Sequence, residues 1–150
     1  MTTVAEILGP NRLCVSPSTL ISEVARKMRD YGLELIAVCE SGKFRGVVTE
    51  KEIISRIVVS AQDPKRKHVE SLMINDIPKV SPGAEVMEAA KIMASHRITY
   101  LPVVQNGRFF GILTLNNLAK GSLAAAAVVL SHWAETGASA NAKEMIAKVQ

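Results

Sequence analysis

Two short segments carry the residue types best suited to holding a polar small molecule. One reads Gly46-Val-Val-Thr49-Glu-Lys51-Glu52 and the other Gly111-Ile-Leu-Thr114-Leu-Asn116-Asn117. Each places a threonine three residues before a carboxylate or a carboxamide. A threonine hydroxyl at a helix start accepts from backbone N–H groups or bonds a phosphate or ribose oxygen. A carboxylate three residues on accepts from both hydroxyls of a ribose, which separates ribose from a plain sugar or an alkyl group. Gly46 and Gly111 would let the backbone approach a ligand closely. The same spacing also reads as a capping box, in which the two side chains satisfy each other's backbone N–H groups. On the residues alone, both readings stand.

The elements that must position these segments come in duplicate. Shifting the sequence by 65 residues aligns Val4–Ser55 with Val69–Lys120 without a gap, and 12 of 52 positions are identical, where roughly 3 are expected from ordinary composition. Val15-Ser-Pro17 matches Val80-Ser-Pro82, and Gly42, Phe44, Gly46 and Thr49 match Gly107, Phe109, Gly111 and Thr114. Each copy reads as β-α-β-β-α. A short strand ends at Val15 or Val80, and Ser-Pro then leads into a helix, about Thr19 to Asp30 in the first copy, because proline suits a helix start. Leu20, Ile21, Val24, Ala25 and Met28 line one face of it, as Val86, Ala89, Ala90 and Met93 do in the second copy. The apolar runs Leu35–Cys39 and Tyr100–Val104 predict strands covered on both faces. The pairs Ser41-Gly42 and Asn106-Gly107 predict hairpin turns into Phe44–Val48 and Phe109–Leu113. Second helices start near Thr49 and Thr114.

Copies of this size are small for independent cores, so the two are expected to pack about a pseudo-two-fold axis. The fold class is therefore α/β in the α+β sense. Repeat 1 covers 4–59, a linker 60–68, repeat 2 69–122, and a helical tail 123–150. The linker, SAQDPKRKH, is polar and basic and reads as solvated. In the tail, Leu123–Ala134 favours helix, Gly137 reads as its stop, and Asn141 as the cap of a last helix holding Met145, Ile146 and Val149. So apolar a tail is expected to close the module's own surface or to pair with another subunit, with a homodimer as the expected assembly.

Composition removes several function classes. The chain is 48% hydrophobic and carries a formal charge of +4, as a folded globular protein does. Lys65-Arg66-Lys67 supplies most of that excess, and one short cluster without interleaved aromatics does not make a nucleic-acid surface. The longest apolar run, Leu123–Leu130, is too short to span a bilayer. The first residues lack a signal-peptide pattern. Cys14 and Cys39 lack metal-site spacing and read as reduced thiols in a cytoplasmic protein. HExxH, GxSxG, GxGxxG and P-loop patterns are absent, and no nucleophile–base–orienter set is visible, so an enzyme is not expected.

The paired repeats, each closing on Gly-apolar-apolar-Thr-x-x-polar, together with Leu101-Pro-Val-Val104 and the two Val-Ser-Pro segments, resemble tandem CBS domains over about residues 4–120. The resemblance implies a disc-like sensor module with clefts between its repeats that bind adenosine-containing ligands such as AMP, ADP, ATP or S-adenosylmethionine. It needs no other cofactor and acts on an unidentified regulated protein or subunit. By resemblance, one cleft uses Thr49, Lys51, Glu52 and Leu35, completed by Asn75, Ile77, Thr99 and Tyr100. The other uses Thr114, Asn116 and Asn117 with Tyr100, completed by Pro10, Arg12 and Leu35. Tyr100 is a candidate to stack on a purine. Lys51, Arg12 and His96-Arg97 are the candidate phosphate contacts. The family's usual Asp is Glu52 in one repeat and Asn117 in the other. Those departures motivate an alternative, a scaffold or dimerisation module that keeps the fold without the ligand.

Overall fold

The computed structural model describes residues 1–10 and 12–136. The stop at Gly137 and the last helix expected after Asn141 lie outside the described residues. In chain order the elements are α1 (Val4–Ile7), β1 (Cys14–Val15), α2 (Ile21–Tyr31), β2 (Leu35–Glu40), β3 (Lys43–Thr49) and α3 (Glu50–Ile53), which runs on as a π-helical segment, Ile54–Val58. A 3-10 turn at Val69–Ser71 follows, then α4 (Val86–His96), β4 (Tyr100–Gln105), β5 (Arg108–Thr114), α5 (Leu115–Gly121) and α6 (Leu123–Glu135). The strands form one mixed sheet in the order β1-β2-β3-β5-β4. The doubled layout read from the sequence is present, except that the short strand expected to end at Val80 is reduced to a single bridge from Val80 to Val103.

The chain divides into two compact units. The second comprises Asn11–Ile77 and Val104–Gly111. In it β1 runs parallel to β2, pairing Cys14 with Ala37, and β2 runs antiparallel to β3 from Leu35↔Thr49 to Glu40↔Lys43. Ser41 and Gly42 both take positive φ, 52° and 78°, as do Asn106 and Gly107 at 53° and 79°, the backbone a tight two-residue hairpin requires. The two hairpin tips meet reciprocally. Phe44 N–H donates to Gly107 at 2.8 Å, Phe109 N–H donates to Gly42 at 3.5 Å, and the two phenyl rings stack at 5.9 Å. Repeat-equivalent residues thus hold each other, as a two-fold relation demands. Beneath them the α2 face Ile21, Val24 and Met28 packs with Val15, Ile36, Val38, Val48, Ile57, Val69 and Leu72.

The other unit comprises Met1–Pro10, Pro78–Val103 and the described chain from Ile112 onward. Val86, Ala89, Ala90, Met93 and Ala94 form the buried face of α4. The tail helix α6 buries Ala125, Ala126 and Val129, and Trp133 Nε1 donates to Ala94 O on α4 at 3.1 Å. Within the described residues α6 thus packs on α4 of its own unit. The α4 C-terminus takes the left-handed conformation at Arg97 (φ 53°), where the first repeat has Gly32 (φ 64°). A non-glycine residue strains there. The Arg97 guanidinium offsets that strain by donating to Thr136 O at 2.8 Å and Thr136 Oγ1 at 3.0 Å beyond α6.

The units do not follow the repeat boundaries, because the segment leading each repeat docks on the other copy's Ser-Pro turn. Val4 N–H donates to Ala84 O and Ala5 N–H to Pro82 O, while Val86 N–H, opening α4, donates to Thr2 O. At the equivalent positions Val69 N–H donates to Thr19 O, Glu70 N–H to Pro17 O, and Ile21 N–H to Lys67 O. The helix expected from Thr19 therefore starts at Ile21. Ser-Pro forms a turn whose carbonyls receive the exchanged segment, so Pro17 does not open the helix. The linker side chains from Lys65 to His68 are exposed, as expected of a solvated linker. Its backbone has a further role: Pro64 O and Lys67 O cap the α2 N-terminus through Ser22 N–H and Ile21 N–H, donors that no side chain of the N-cap residue Leu20 satisfies.

Candidate functional site

The two Thr segments adopt one backbone. Thr49 (φ −114°, ψ 159°) is the N-cap of α3, and Thr114 (φ −111°, ψ 160°) is the N-cap of α5. Both are held from below by the same bond, Glu50 N–H to Glu34 O in one copy and Leu115 N–H to Thr99 O in the other. Thr49 Oγ1 accepts from Glu52 N–H at 3.3 Å, and Thr114 Oγ1 accepts from Asn117 N–H at 3.1 Å.

The third residue on then behaves differently. Asn117 Oδ1 turns back to accept from Thr114 N–H at 3.0 Å and completes a capping box. Its Nδ2 lies so close to Gly9 that a Cβ there would sit 3.3 Å away. Both ends of the Asn117 carboxamide are thereby placed. Glu52 makes no such return. The residue is half-buried and, among the described residues, its carboxylate takes part in no hydrogen bond or ion pair. The capping-box reading therefore describes Thr114–Asn117, whereas at Thr49–Glu52 the carboxylate stays available. If Asn117 is a cap, Asn117→Ala should cost about 1 kcal/mol in urea denaturation and Asn117→Asp, which keeps the acceptor, should cost nothing measurable. Equal stability of Asn117→Ala and the parent would contradict the cap.

The structure sorts the other candidate residues by unit. Leu35 pairs directly with Thr49 in the β2–β3 ladder and is half-buried, and Lys51 is exposed on α3. Asn75 is exposed and Ile77 half-buried, both just after Ile74, which exchanges backbone bonds with Val47 at 2.9 and 2.7 Å. Arg12, exposed, belongs to this same unit. Thr99, Tyr100, Thr114, Asn116, Asn117 and Pro10 belong to the other unit. There Thr99 O holds the start of α5, Tyr100 opens β4 half-buried, and Asn116 and Pro10 are exposed.

Two sequence expectations need correction. Gly46 is close-packed against the chain's own backbone: an added Cβ would stand 2.7 Å from Ile74 O, so the close approach it permits is that of Ile74. Ile74 was missed in the sequence because it lies outside any motif, although the repeated glycine was its signal. Arg97, a candidate phosphate contact, is committed to Thr136. Its neighbour His96 sets Nδ1 3.1 Å from Ile92 O, at the end of its own helix.

Burial, with the neighbouring Cys14 as a further cause, pushes the Cys39 thiol up to about 12, so it is neutral in the physiological range. Among the described residues no group of His, Cys, Asp or Glu is placed to hold a metal ion, and no helix is long and apolar enough to cross a membrane.

A doubled β-α-β-β-α unit with a Thr-capped helix after each return strand defines a paired regulatory module, and the chain belongs to the CBS domain family, whose model matches residues 4–59 and 69–123. It is similar to the CBS domain-containing protein YhcV of Bacillus subtilis (strain 168), 29% identical over 119 residues, 79% of this chain and 84% of the relative. Among solved structures, a conserved CBS domain protein, TA0289 of Thermoplasma acidophilum, superposes with a TM-score of 0.74 at 25% identity, covering 89% of this chain and 77% of that one. The structure of CBSX2 in complex with AMP superposes with a TM-score of 0.71 over 82% of this chain and 97% of that one, and at 23% identity it shares the fold.

Proposed function

We propose that this CBS pair senses an adenosine-containing ligand of the AMP, ADP, ATP or S-adenosylmethionine type at the Thr49–Glu52 turn. Binding there is passed to a subunit or partner interface, in a homodimer and in the cytoplasm. The observation that carries this reading is the uncommitted Glu52 carboxylate beside a helix N-terminus, in contrast to the closed Asn117 box. Glu52 accepts from the two ribose hydroxyls, and two charge-assisted hydrogen bonds to one diol give the selectivity for ribose. Leu35 and Ile77 offer apolar contact for a purine, Asn75 offers polar contact to its edge, and Lys51 is within the same turn for a phosphate. AMP in the complex of the fold-neighbour CBSX2 supports the ligand class. The hexameric assembly of the neighbouring CBS-CP12 protein supports self-association. Unbridged Cys14 and Cys39 fit a reducing compartment.

Isothermal titration with AMP, ADP, ATP, S-adenosylmethionine and NAD tests the proposal. One adenosine ligand should bind with about one site per chain. Its 2′-deoxy analogue and Glu52→Gln should each weaken binding by at least about tenfold, the loss of one charge-assisted bond, while Asn117→Ala leaves it unchanged. No heat with any ligand at millimolar concentration would sink it and leave the second reading, a ligand-free dimerisation module. That reading is favoured by the apolar side chains Ile54, Val58 and Val59, 56%, 67% and 75% exposed on the helical run after Glu52.

A further inference from the structure

We propose a second anion site on this chain, separate from the Thr49–Glu52 turn: a cavity of about 300 Å³ in the second unit that takes the phosphate group of a small phosphorylated metabolite. The cavity opens between the π-helical segment and the linker. Its two charged lining side chains are both cations, Arg56 and Lys67. Among the described residues neither joins an ion pair; those present are Arg29–Asp30, Arg45–Glu40 and Arg66–Asp63. Two cations lining one cavity without a carboxylate leave an anion to be supplied from solution.

Both cations are tied to the fold, Arg56 through its side chain and Lys67 through its backbone. Arg56 Nη2 donates to Ser71 O at 3.0 Å, which fixes the guanidinium and leaves its other N–H groups for a ligand. The Lys67 backbone is anchored by its carbonyl to Ile21 N–H at 3.0 Å, so the side chain starts from a fixed point. Ser60 adds a hydroxyl and Gln62 a carboxamide to the lining, the Gln62 Nε2 donating to Ser60 O at 3.4 Å. Arg56 stands on a π-helical turn, a local irregularity that often marks functional positions. The nearest linker carboxylate, Asp63, is occupied by Arg66 at 3.6 Å and by Lys65 N–H at 3.0 Å, so it does not neutralise the site.

The chemistry selects a phosphate monoester. A guanidinium fork and an ammonium contributed to one cavity by two elements match a tetrahedral dianion with several acceptor oxygens. The volume exceeds what a bare phosphate fills. Buried Ile57 and Leu72 offer an apolar floor to the carbon skeleton it carries. Of the linker's three consecutive cations, Arg66 pairs with Asp63 and Lys67 lines the cavity. The basic cluster that composition assigned to a solvated linker thus supplies one wall of a site.

Amide-resolved NMR titration of the full chain tests this, with inorganic phosphate, pyrophosphate, ribose 5-phosphate and, as a matched neutral control, ribose. The expected result is saturable shifts confined to Arg56, Ser60, Gln62, Lys67 and Ser71 and their neighbours. Ribose 5-phosphate should bind at least about tenfold more tightly than ribose. Lys67→Gln, an exposed change that spares the fold, should weaken binding about fivefold or more, as should Arg56→Gln, and Glu52→Gln should leave it unaltered, which separates this site from the turn discussed above. The proposal is overturned if chloride at equal ionic strength gives the same shifts, if Lys67→Gln has no effect, or if only a single-stranded RNA oligomer binds and phosphates do not displace it.

Discussion

Replacing Gly46 by alanine lowers the stability of this protein by about 3 kcal/mol, read as a fall in the midpoint of urea denaturation and as a melting temperature lower by roughly 6–12 °C. The new methyl group would stand 2.7 Å from Ile74 O and 3.2 Å from Ile74 C. Neither atom belongs to a side chain that could swing aside. Ile74 O accepts from Val47 N–H at 2.9 Å and Ile74 N–H donates to Val47 O at 2.7 Å, so moving that backbone by the needed amount sacrifices both bonds. The bonds lie beside buried Val47 and Val48, where water cannot replace them. Gly83→Ala is the control: its Cβ meets nothing within 4 Å, and the change should stay within about 0.5 kcal/mol of the parent. A loss below about 1 kcal/mol at Gly46 would mean that the Ile74 segment is not held as described.

Local elements of this fold were legible because each leaves a mark in its own side chains. Ser41-Gly42 and Asn106-Gly107 supply positive φ, and the faces of α2 and α4 carry their apolar residues at helical spacing. Thr49 and Thr114 sit at caps because a threonine three residues before an acceptor has few other uses at a strand-to-helix junction. What the sequence could not separate was the fate of that acceptor. Glu52 and Asn117 occupy equivalent positions on equivalent backbones, yet only the shorter, neutral carboxamide folds back onto its threonine N–H. That difference lies in a side-chain conformation, which spacing does not encode. The exchange of leading segments was illegible for another reason. Its bonds run from backbone N–H groups to the carbonyls of Thr19, Pro17, Ala84 and Pro82, and any residue presents such groups. The cavity at Arg56 and Lys67 joins residues 11 positions apart in sequence through two irregular segments, with no periodicity to announce it.

Deleting residues 2–8 should destabilise the unit that contains α4 by about 4–5 kcal/mol, a large share of the roughly 5–15 kcal/mol that holds a domain together. Drawn from the repeat alone, this segment is the start of repeat 1 and would be expected to weaken the helix α2. The structure directs the damage elsewhere. Val4 is fully buried, and removing it forfeits about 2 kcal/mol of apolar burial. Ala84 O and Pro82 O lose their donors, and Val86 N–H loses Thr2 O. That last bond weighs most, because the N-cap residue of α4, Glu85, makes no side-chain cap bond and the exchanged segment supplies the acceptor. Ile7, packed against Gly121, also leaves a gap beside the end of α5. Amide hydrogen exchange should therefore show the first turn of α4 losing protection. The first turn of α2, capped from Pro64 and Lys67, should retain it. The melting temperature should fall by roughly 8–20 °C. A shift under about 2 °C, or loss of protection at α2 ahead of α4, would show that the leading segment serves its own repeat and that the reciprocal docking does not carry the stability assigned to it.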